Sequence, residues 1–452
     1  MFFRLFALVL LVLLGALLAG WLGAQPGMLA LEWLGWQIEL RTSLAVAILA
    51  LAALALILLD RLLRGLLDLP SWLGRNLARR RTESGHRALT LGLMAVSAGE
   101  PEEARRQAVR AQRLLAAPRL TDLLSAQAAH LSGDHAAAGR YFTSLTRDPD
   151  TAFLGHIGLA RLALEDEQPD KALVSARRAL DLRPKSALAG RQVMLLEAER
   201  GNWAAALPAQ AVAATGADDS ESRRLAARQR AALTYLDVIS GLDMEADPKR
   251  LREQARRLET ALAAWPEFWP AALMFADIQQ AAGQPRKSTK VLESAFRAMP
   301  HKEVASRLGA VWATSEGSYI AKLIKLIPNK QSGLADEGRR IVASAALDHG
   351  LVGEARRLLE EIDPPDRDAE AWRLLSRLAA AAEDATSETA ALRRAGEAPR
   401  PRRWQCTSCR LVHDEWNSHC GGCAGFLTLD WQRPDGVTPL QANTSPQLTK
   451  VD

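Results

Sequence analysis

The sequence predicts an all-α protein in three parts: a two-helix N-terminal hairpin, an α-solenoid, and a small cysteine-rich C-terminal module. Three observations lead to this prediction. Two long apolar runs lie within the first 60 residues, an alanine recurs every 34 residues, and all four cysteines fall between 406 and 423. Aromatic residues make up only 5% of the chain, and the alanine, leucine and arginine that dominate it favour helix.

The N-terminal apolar runs cover residues 5–22 and 43–59. Each approaches the length of a helix that crosses a bilayer. The segment between them, 24–41, carries acidic residues, whereas arginines crowd after residue 60. Because positive charge stays on the cytoplasmic side, we expect residues 1–60 to form a two-pass transmembrane hairpin with an external loop at 24–41 and both termini cytoplasmic. A signal peptide cleaved near Ala24 is the alternative.

Residues 61–85 form a basic, amphipathic juxtamembrane segment. Leucines and Trp72 alternate there with arginines such as Arg64 and Arg75. Such a helix can lie in the headgroup layer and contact membrane lipid; a capping helix of the solenoid is the alternative. Pro70 is expected to break the helix in two.

The repeats are marked by an alanine and by a glycine five residues before it. The alanines stand 34 residues apart, at Ala104, Ala138, Ala172 and Ala206. The preceding glycines are Gly99, Gly133 and Gly201, and Glu167 takes this position in the third repeat. This period is typical of tetratricopeptide repeats. We therefore expect four such repeats in residues 86–216, stacked into a solenoid with a concave surface.

The first helix of each repeat is expected to line that concave groove. Counting along the repeats predicts a partner-binding surface made of Leu89, Leu93, Leu123, Ile157, Arg161, Leu188, Arg191 and Leu195. An apolar surface with two arginines fits an amphipathic helix or peptide that carries an acidic group. Coverage of this groove by neighbouring helices of the same chain is the alternative.

Residues 217–394 are predicted to continue the solenoid as degenerate helical repeats. Helices are expected at 222–242 and 248–264, and the pairs Gly283/Ser288 and Gly350/Ala355 restore the repeat spacing. Residues 395–403, rich in proline and arginine, read as a linker. The polar tail 435–452 is expected to be disordered.

The C-terminal module, 404–434, contains the strongest chemical motif in the chain. Two Cys-x2-Cys pairs are separated by ten residues, and their members are Cys406, Cys409, Cys420 and Cys423. Four thiolates that converge favour structural zinc or iron and leave no open position for a substrate. Disulfide pairing is the alternative, which a cytoplasmic location opposes. His413 and His419 are interpreted as polar residues rather than ligands. Loss of the metal is expected to unfold this module alone.

Motifs for catalysis are absent from the sequence. No Walker loop, His-Glu-x-x-His, Gly-x-Ser-x-Gly or Cys-x-x-Cys-His occurs, and no Gly-x-Gly-x-x-Gly would hold a dinucleotide. No catalytic or cofactor-binding residues are therefore assigned, and a binding scaffold is favoured over an enzyme. The net charge of +5 is mild and is not gathered on the repeats, so nucleic acid is not expected as a partner. A haem or porphyrin carrier, with His130 or His156 as an iron ligand, stays open.

Roughly the first 400 residues resemble a known family, most specifically over about the first 100. Two apolar runs, the stretch 31–39 (LEWLGWQIE), a basic segment and tetratricopeptide repeats are similar to the HemY family of Gram-negative bacteria. That resemblance implies an inner-membrane protein that supports late haem (porphyrin) biosynthesis, with haem-pathway enzymes as partners. The four-cysteine module departs from this pattern. It resembles the rubredoxin-like end of LapB, a repeat protein with one membrane helix that regulates lipopolysaccharide synthesis, which implies a regulatory adaptor of envelope biosynthesis as the alternative.

Overall fold

A computed structural model describes residues 20–21, 28–33, 36–115, 118–312, 316–329 and 334–434. The chain divides into two compact units, 1–141 and 142–452, and each is described by itself. The first predicted membrane helix, 5–22, lies outside the described residues except for Gly20 and Trp21. The tail 435–452 also lies outside them.

Residues 28–41 of unit 1 form a β-hairpin where the sequence analysis predicted only a loop. Strands β1 (Met28–Trp33) and β2 (Trp36–Arg41) are antiparallel, and their register places Leu31 opposite Ile38 and Glu32 opposite Gln37. Apolar and polar residues alternate along β2 (WQIELR), which is the two-residue period of a strand, whereas β1 (MLALEW) is almost entirely apolar. The expectation of an all-α chain outside the metal module is therefore wrong at 28–41.

Helix α1 (Thr42–Ser97) follows β2 directly. It joins three segments that were predicted to be separate: the apolar run 43–59, the juxtamembrane segment 61–85 and the start of the first repeat. The expected break at Pro70 is wrong, because a proline removes one backbone donor and bends a helix without having to end it. No helix in the described part of the chain combines the length and apolarity that a bilayer crossing requires.

The rest of unit 1 consists of α2 (Pro101–Leu114), α3 (Pro118–Leu131) and the start of α4 (His135–Leu145). Ala104 and Ala138 are fully buried. Gly92 of α1 lies so close to α3 that an added Cβ would be 2.5 Å from a Leu124 methyl carbon. Small residues therefore let these helices approach closely, as the repeat pattern predicts.

Unit 2 contains the end of α4 and a long series of helices. These are α5 (Ala152–Glu165), α6 (Pro169–Leu182), α7 (Ala187–Glu199), α8 (Trp203–Ala213), α9 (Ser220–Ser240), α10 (Pro248–Ala264), α11 (Trp269–Ala281), α12 (Pro285–Ala298), α13 (Lys302–Trp312), α14 (Glu316–Ile324), α15 (Ala335–Asp348), α16 (Val352–Glu360), α17 (Ala369–Ala381) and α18 (Ala385–Glu397). Helices α9 and α10 match the two that were predicted within 217–394.

The turns between paired helices share one geometry. Gly99, Gly133, Gly201, Gly283 and Gly350 have φ between 70° and 73°, and Glu167 adopts the same left-handed region at 55°. At each turn the amide of this residue bonds to the carbonyl three residues back, and the next amide bonds to the carbonyl five back. This pattern is the Schellman motif that ends a helix. The repeat spacing read from the sequence is thus visible as a repeated turn.

The C-terminal module contains a three-stranded antiparallel sheet in the order β4-β3-β5. Its strands are β3 (Arg403–Cys406), β4 (Val412–His413) and β5 (Leu429–Gln432). The predicted linker is held in place: the Ala369 amide donates to the Pro399 carbonyl at 2.8 Å, and Arg402 pairs with Glu337 at 3.3 Å. The module is therefore fixed against the helices of unit 2.

Candidate metal centre and the surface its module covers

The four predicted ligands come together at one point. All four Sγ atoms lie within 4.8 Å of one another. Cys406 Sγ is 3.6 Å from Cys423 Sγ, and Cys409 Sγ is 3.5 Å from Cys420 Sγ. A zinc–sulfur bond of about 2.3 Å implies tetrahedral edges of about 3.8 Å, so these spacings fit one metal ion. The cysteines are free thiols, not disulfides.

The two Cys-x2-Cys loops are built alike, fourteen residues apart. The Cys406 amide donates to Leu411 at 2.9 Å, and the Cys420 amide donates to Gly425 at 3.0 Å. Arg410 and Ala424, each just after the second cysteine of its pair, have φ of 63° and 53°. Neither Arg410 nor Ala424 is a glycine, so other contacts must hold both loops in the left-handed conformation.

Polar hydrogens point at the sulfur atoms. The Cys409 amide donates to Cys406 Sγ at 3.5 Å, and the Gly422 amide donates to Cys420 Sγ at 3.4 Å. Burial opposes ionisation of Cys406, but the Cys409 amide and the Thr428 hydroxyl outweigh it and lower the pKa of this thiol to about 6. Burial and the neighbouring thiols raise the pKa of Cys409 to about 12. The cluster thus favours thiolate at Cys406.

The nearby histidines lie around the sulfur cluster. His413 Nε2 is 3.4 Å from Cys420 Sγ, close enough to donate a hydrogen bond to a thiolate. The His419 ring lies 5.1 Å from the Phe426 ring. When bound, zinc or iron would crosslink both loops through four sulfur ligands. Those ligands close the coordination sphere, so the site is suited to structure rather than to substrate chemistry.

The module shares its core with the helices. Trp404, Cys406, Cys420 and Leu429 are at most 5% exposed and belong to the same apolar cluster as Phe268 and residues of α9–α17. This sharing arises because a module of about 30 residues cannot build a sufficient core from its own side chains. The sequence analysis predicted a separate module joined by a linker. The structure differs, because the module packs its core against the helices of unit 2.

The module covers a set of aromatic side chains on α8, α9 and the α10–α11 connection, called here the aromatic face. Its members are Trp203, Tyr235, Trp265, Phe268 and Trp269. The Trp416 ring meets the Phe268 ring edge-on at 4.9 Å and the Tyr235 ring at 5.6 Å. Phe426 stacks on Trp203 at 6.4 Å. Edge-on and stacked pairs of this kind each add to the apolar burial.

The other edge of the module contacts α13. His301, just before that helix, stacks on Trp269 at 3.9 Å, and the Trp431 ring meets the His301 ring at 5.2 Å. Burial lowers the pKa of His301 to about 3, and the charges of Lys302, Arg340 and Arg403 add to the shift. His301 is therefore neutral at ordinary pH and acts as a packed ring.

Ion pairs rim this contact. Arg228 of α9 lies 3.4 Å from Asp430 of the module and 3.1 Å from Glu267. Arg402 pairs with Glu337, and burial raises the pKa of Glu337. These pairs fix the orientation of the module on the aromatic face more than they add stability.

The predicted groove residues are divided between the two units. In unit 1, Leu93 is exposed, Leu123 is partly buried, and Leu89 is partly buried against Ala88, Ala111 and Leu115. In unit 2, Ile157 packs with Phe153 and Ala189 between helices. The remaining residues, Arg161, Leu188, Arg191 and Leu195, are exposed. Of the helices that carry predicted groove residues, only α5 and α7 lie together in unit 2. Only these two are therefore described as one surface.

These features define a helical-repeat protein with a C-terminal four-cysteine module. Residues 27–133 match the family described as "HemY protein N-terminus", which confirms the resemblance inferred from the sequence over that part of the chain. The "Probable magnetosome protein Mms48" of Magnetospirillum gryphiswaldense is 26% identical over 429 residues, which cover 91% of this chain and 90% of that protein.

Solved structures of repeat proteins are also similar. The MamA protein is 13% identical, covering 44% of this chain and 98% of that one with a TM-score of 0.27. A tetratricopeptide repeat protein from Parabacteroides merdae is 13% identical and covers 62% and 93%, with a TM-score of 0.25. PilW, a type IV pilus biogenesis factor, is 17% identical and covers 45% and 91%, with a TM-score of 0.23.

Proposed function

We propose that this chain is a membrane-tethered tetratricopeptide scaffold that binds other proteins through the surface of α5 and α7. Its partners, by resemblance to the HemY family, are enzymes of late haem biosynthesis at the bacterial inner membrane. Tethering confines partners to a thin layer and so raises their effective concentration. The four-cysteine module supplies a structural zinc or iron site and no catalytic step.

Membrane lipid is the proposed environment of the first part of α1. Leu49, Leu51 and Leu56 are each more than 70% exposed, and Ile48 and Leu58 more than 55%. A continuous exposed apolar stretch of this size needs lipid or protein to cover it. Together with the HemY match over 27–133, this exposure supports the two-pass inner-membrane placement as a proposal.

The exposed residues of α7 carry the proposal of partner binding. Leu188, Arg191 and Leu195 follow one another at three- and four-residue spacing, so they share one face of the helix. Arg161 is exposed on α5, and Phe153 of α5 shares a core cluster with Ala189 of α7. Within the described residues, no ion pair joins either arginine to a carboxylate. Two free guanidinium groups beside leucines fit an amphipathic segment with acidic side chains.

Two other functions follow from specific observations. The sulfur cluster supports the LapB-like alternative, a regulatory adaptor of lipopolysaccharide or envelope biosynthesis. The buried Nδ1 atom of His156, which has no hydrogen-bond partner among the described residues, supports a porphyrin or haem carrier. A visible absorption band in protein purified from haem-replete cells distinguishes the carrier. Porphyrin accumulation in a strain that lacks the protein distinguishes the haem pathway from the envelope pathway.

The partner surface is tested with the double variant Arg161→Glu/Arg191→Glu. Reversing both charges places like charges opposite an acidic partner, so recovery of co-purified proteins from detergent extracts should fall at least roughly tenfold. Thermal unfolding should change little, because both side chains are exposed.

A matched control is Arg105→Glu/Arg110→Glu on α2. Both arginines are exposed, and this variant changes the net charge by the same amount. Undiminished recovery with Arg161→Glu/Arg191→Glu, or equal losses in the two variants, would show that binding does not depend on the surface of α5 and α7.

A further inference from the structure

The module is attached to the aromatic face by side chains of two kinds. The first kind comprises Trp404 in β3 and Trp431 in β5, whose ring centroids are 5.3 Å apart. Trp416 lies between the two cysteine pairs, and Phe426 follows Cys423 by three residues. The positions of Trp416 and Phe426 therefore depend on the two loops that the sulfur cluster joins.

Backbone hydrogen bonds such as Thr407 N to Thr428 O and Leu427 N to Ser418 O, both 2.8 Å, hold these loops, but the module has little regular structure besides. The strands of the module contain four, two and four residues, and Arg410, Ala424 and Leu427 occupy the left-handed region without being glycines. Modules of this size depend on their metal for folding. A bound metal would join the four sulfur atoms and so help to hold these unfavourable backbone conformations.

We infer that metal occupancy of the four cysteines controls whether the aromatic face is covered. In the loaded state Trp416 and Phe426 sit on Phe268, Tyr235 and Trp203, and the face is closed to any other segment. In the metal-free state the loops loosen, the two side chains leave, and the face becomes accessible. The inference concerns access to this face and does not depend on which proteins bind at α5 and α7.

The aromatic cluster beneath Trp416 has contacts of its own. Tyr235 is partly buried, whereas Phe268 is 1% exposed. Phe268 also stacks on Trp265 at 4.3 Å, and Arg228 lies over the Trp265 ring at 5.2 Å. Loss of Trp416 therefore uncovers an already assembled aromatic cluster. Phe426 also packs against the core of α5–α7. Helices α2 and α3, which belong to unit 1, therefore serve as an internal reference.

Hydrogen–deuterium exchange of the full chain tests the inference directly. The protein is compared zinc-loaded, chelator-stripped, and stripped with zinc restored. Amides of 230–240 and 265–275 should exchange at least roughly tenfold faster in the stripped state and recover with zinc. Amides of α2 and α3 should not change. Cys406→Ser/Cys409→Ser should lose its metal, measured as metal atoms per chain, and behave as the stripped protein does.

A second variant separates the contact from the metal. Trp416→Ala keeps all four cysteines, so it should retain one metal per chain while the same two segments exchange faster even when loaded. Unchanged exchange in the stripped protein, or in Trp416→Ala, would overturn the inference. Faster exchange that spreads to α2 and α3 would overturn it as well, because that result means general unfolding.

Discussion

At the residue scale, Glu167 occupies a backbone conformation that glycine adopts at the equivalent turns. Its φ of 55° lies in the left-handed region, and its amide donates to Leu164 at 3.1 Å. A side chain in this region costs about 1 kcal/mol relative to glycine. Replacing Glu167 by glycine should therefore raise the free energy of unfolding by about 1 kcal/mol, measured by urea denaturation.

The matched change in the opposite direction is Gly201→Ala. Gly201 has a φ of 70°, and an added Cβ at this position would meet nothing within 4 Å. The cost is then conformational alone, and the free energy of unfolding should fall by about 1 kcal/mol. If both variants shifted stability in the same direction, the turn geometry would not be the cause.

At this scale much of the fold is predictable from local chemistry. Ala172 and Ala206, chosen by spacing, are fully buried, because a close crossing of two helices admits only small side chains. The sulfur cluster is predictable because ligand spacing within a Cys-x2-Cys loop is local. The paired loops at Arg410 and Ala424 are not, since neither residue type indicates a left-handed turn.

At the element scale, the prediction failed where two signals competed. Apolar and polar residues alternate through 36–41, yet that stretch was interpreted by its length and charge as part of a loop. Helix α1 continues through Pro70 and joins the apolar run to the first repeat. Proline and charge indicate where a helix can bend or face water, but they do not by themselves determine where it ends.

The placement of α1 gives the topology a direct test. A reporter fused near Pro26 should be external, and one fused near Gly85 should be cytoplasmic, because arginines crowd between Arg61 and Arg81. A fusion at Gly99, in the first repeat turn, serves as a second cytoplasmic position. Reporters that all indicate the same side would contradict the two-pass hairpin.

At the scale of the whole molecule, the docking of the metal module could not be read from the sequence. The relevant residues, Trp269 and Trp431, are far apart in the chain, and no periodic pattern links them. One signal was present: the module carries Trp404, Trp416, Phe426 and Trp431, more large aromatic surface than so short a segment can bury alone. The stretch 265–270 (WPEFWP) supplies the complementary aromatic surface.

This docking divides the surfaces of unit 2 by role. The aromatic face, which is not the predicted groove, is covered by the C-terminal module of the same chain. The proposed partner surface is a different one, where the side chains of Arg161, Leu188, Arg191 and Leu195 are exposed.

Photo-crosslinking in intact membranes tests the partner surface most directly. A photoreactive amino acid is placed at Leu188 or Leu195, which are 53% and 37% exposed, and at Leu182 of α6, which is 47% exposed. The scaffold function predicts discrete protein adducts from Leu188 and Leu195 and none from Leu182, although all three are similarly accessible. The same adduct pattern from all three positions, or adducts from Leu182 alone, would contradict it.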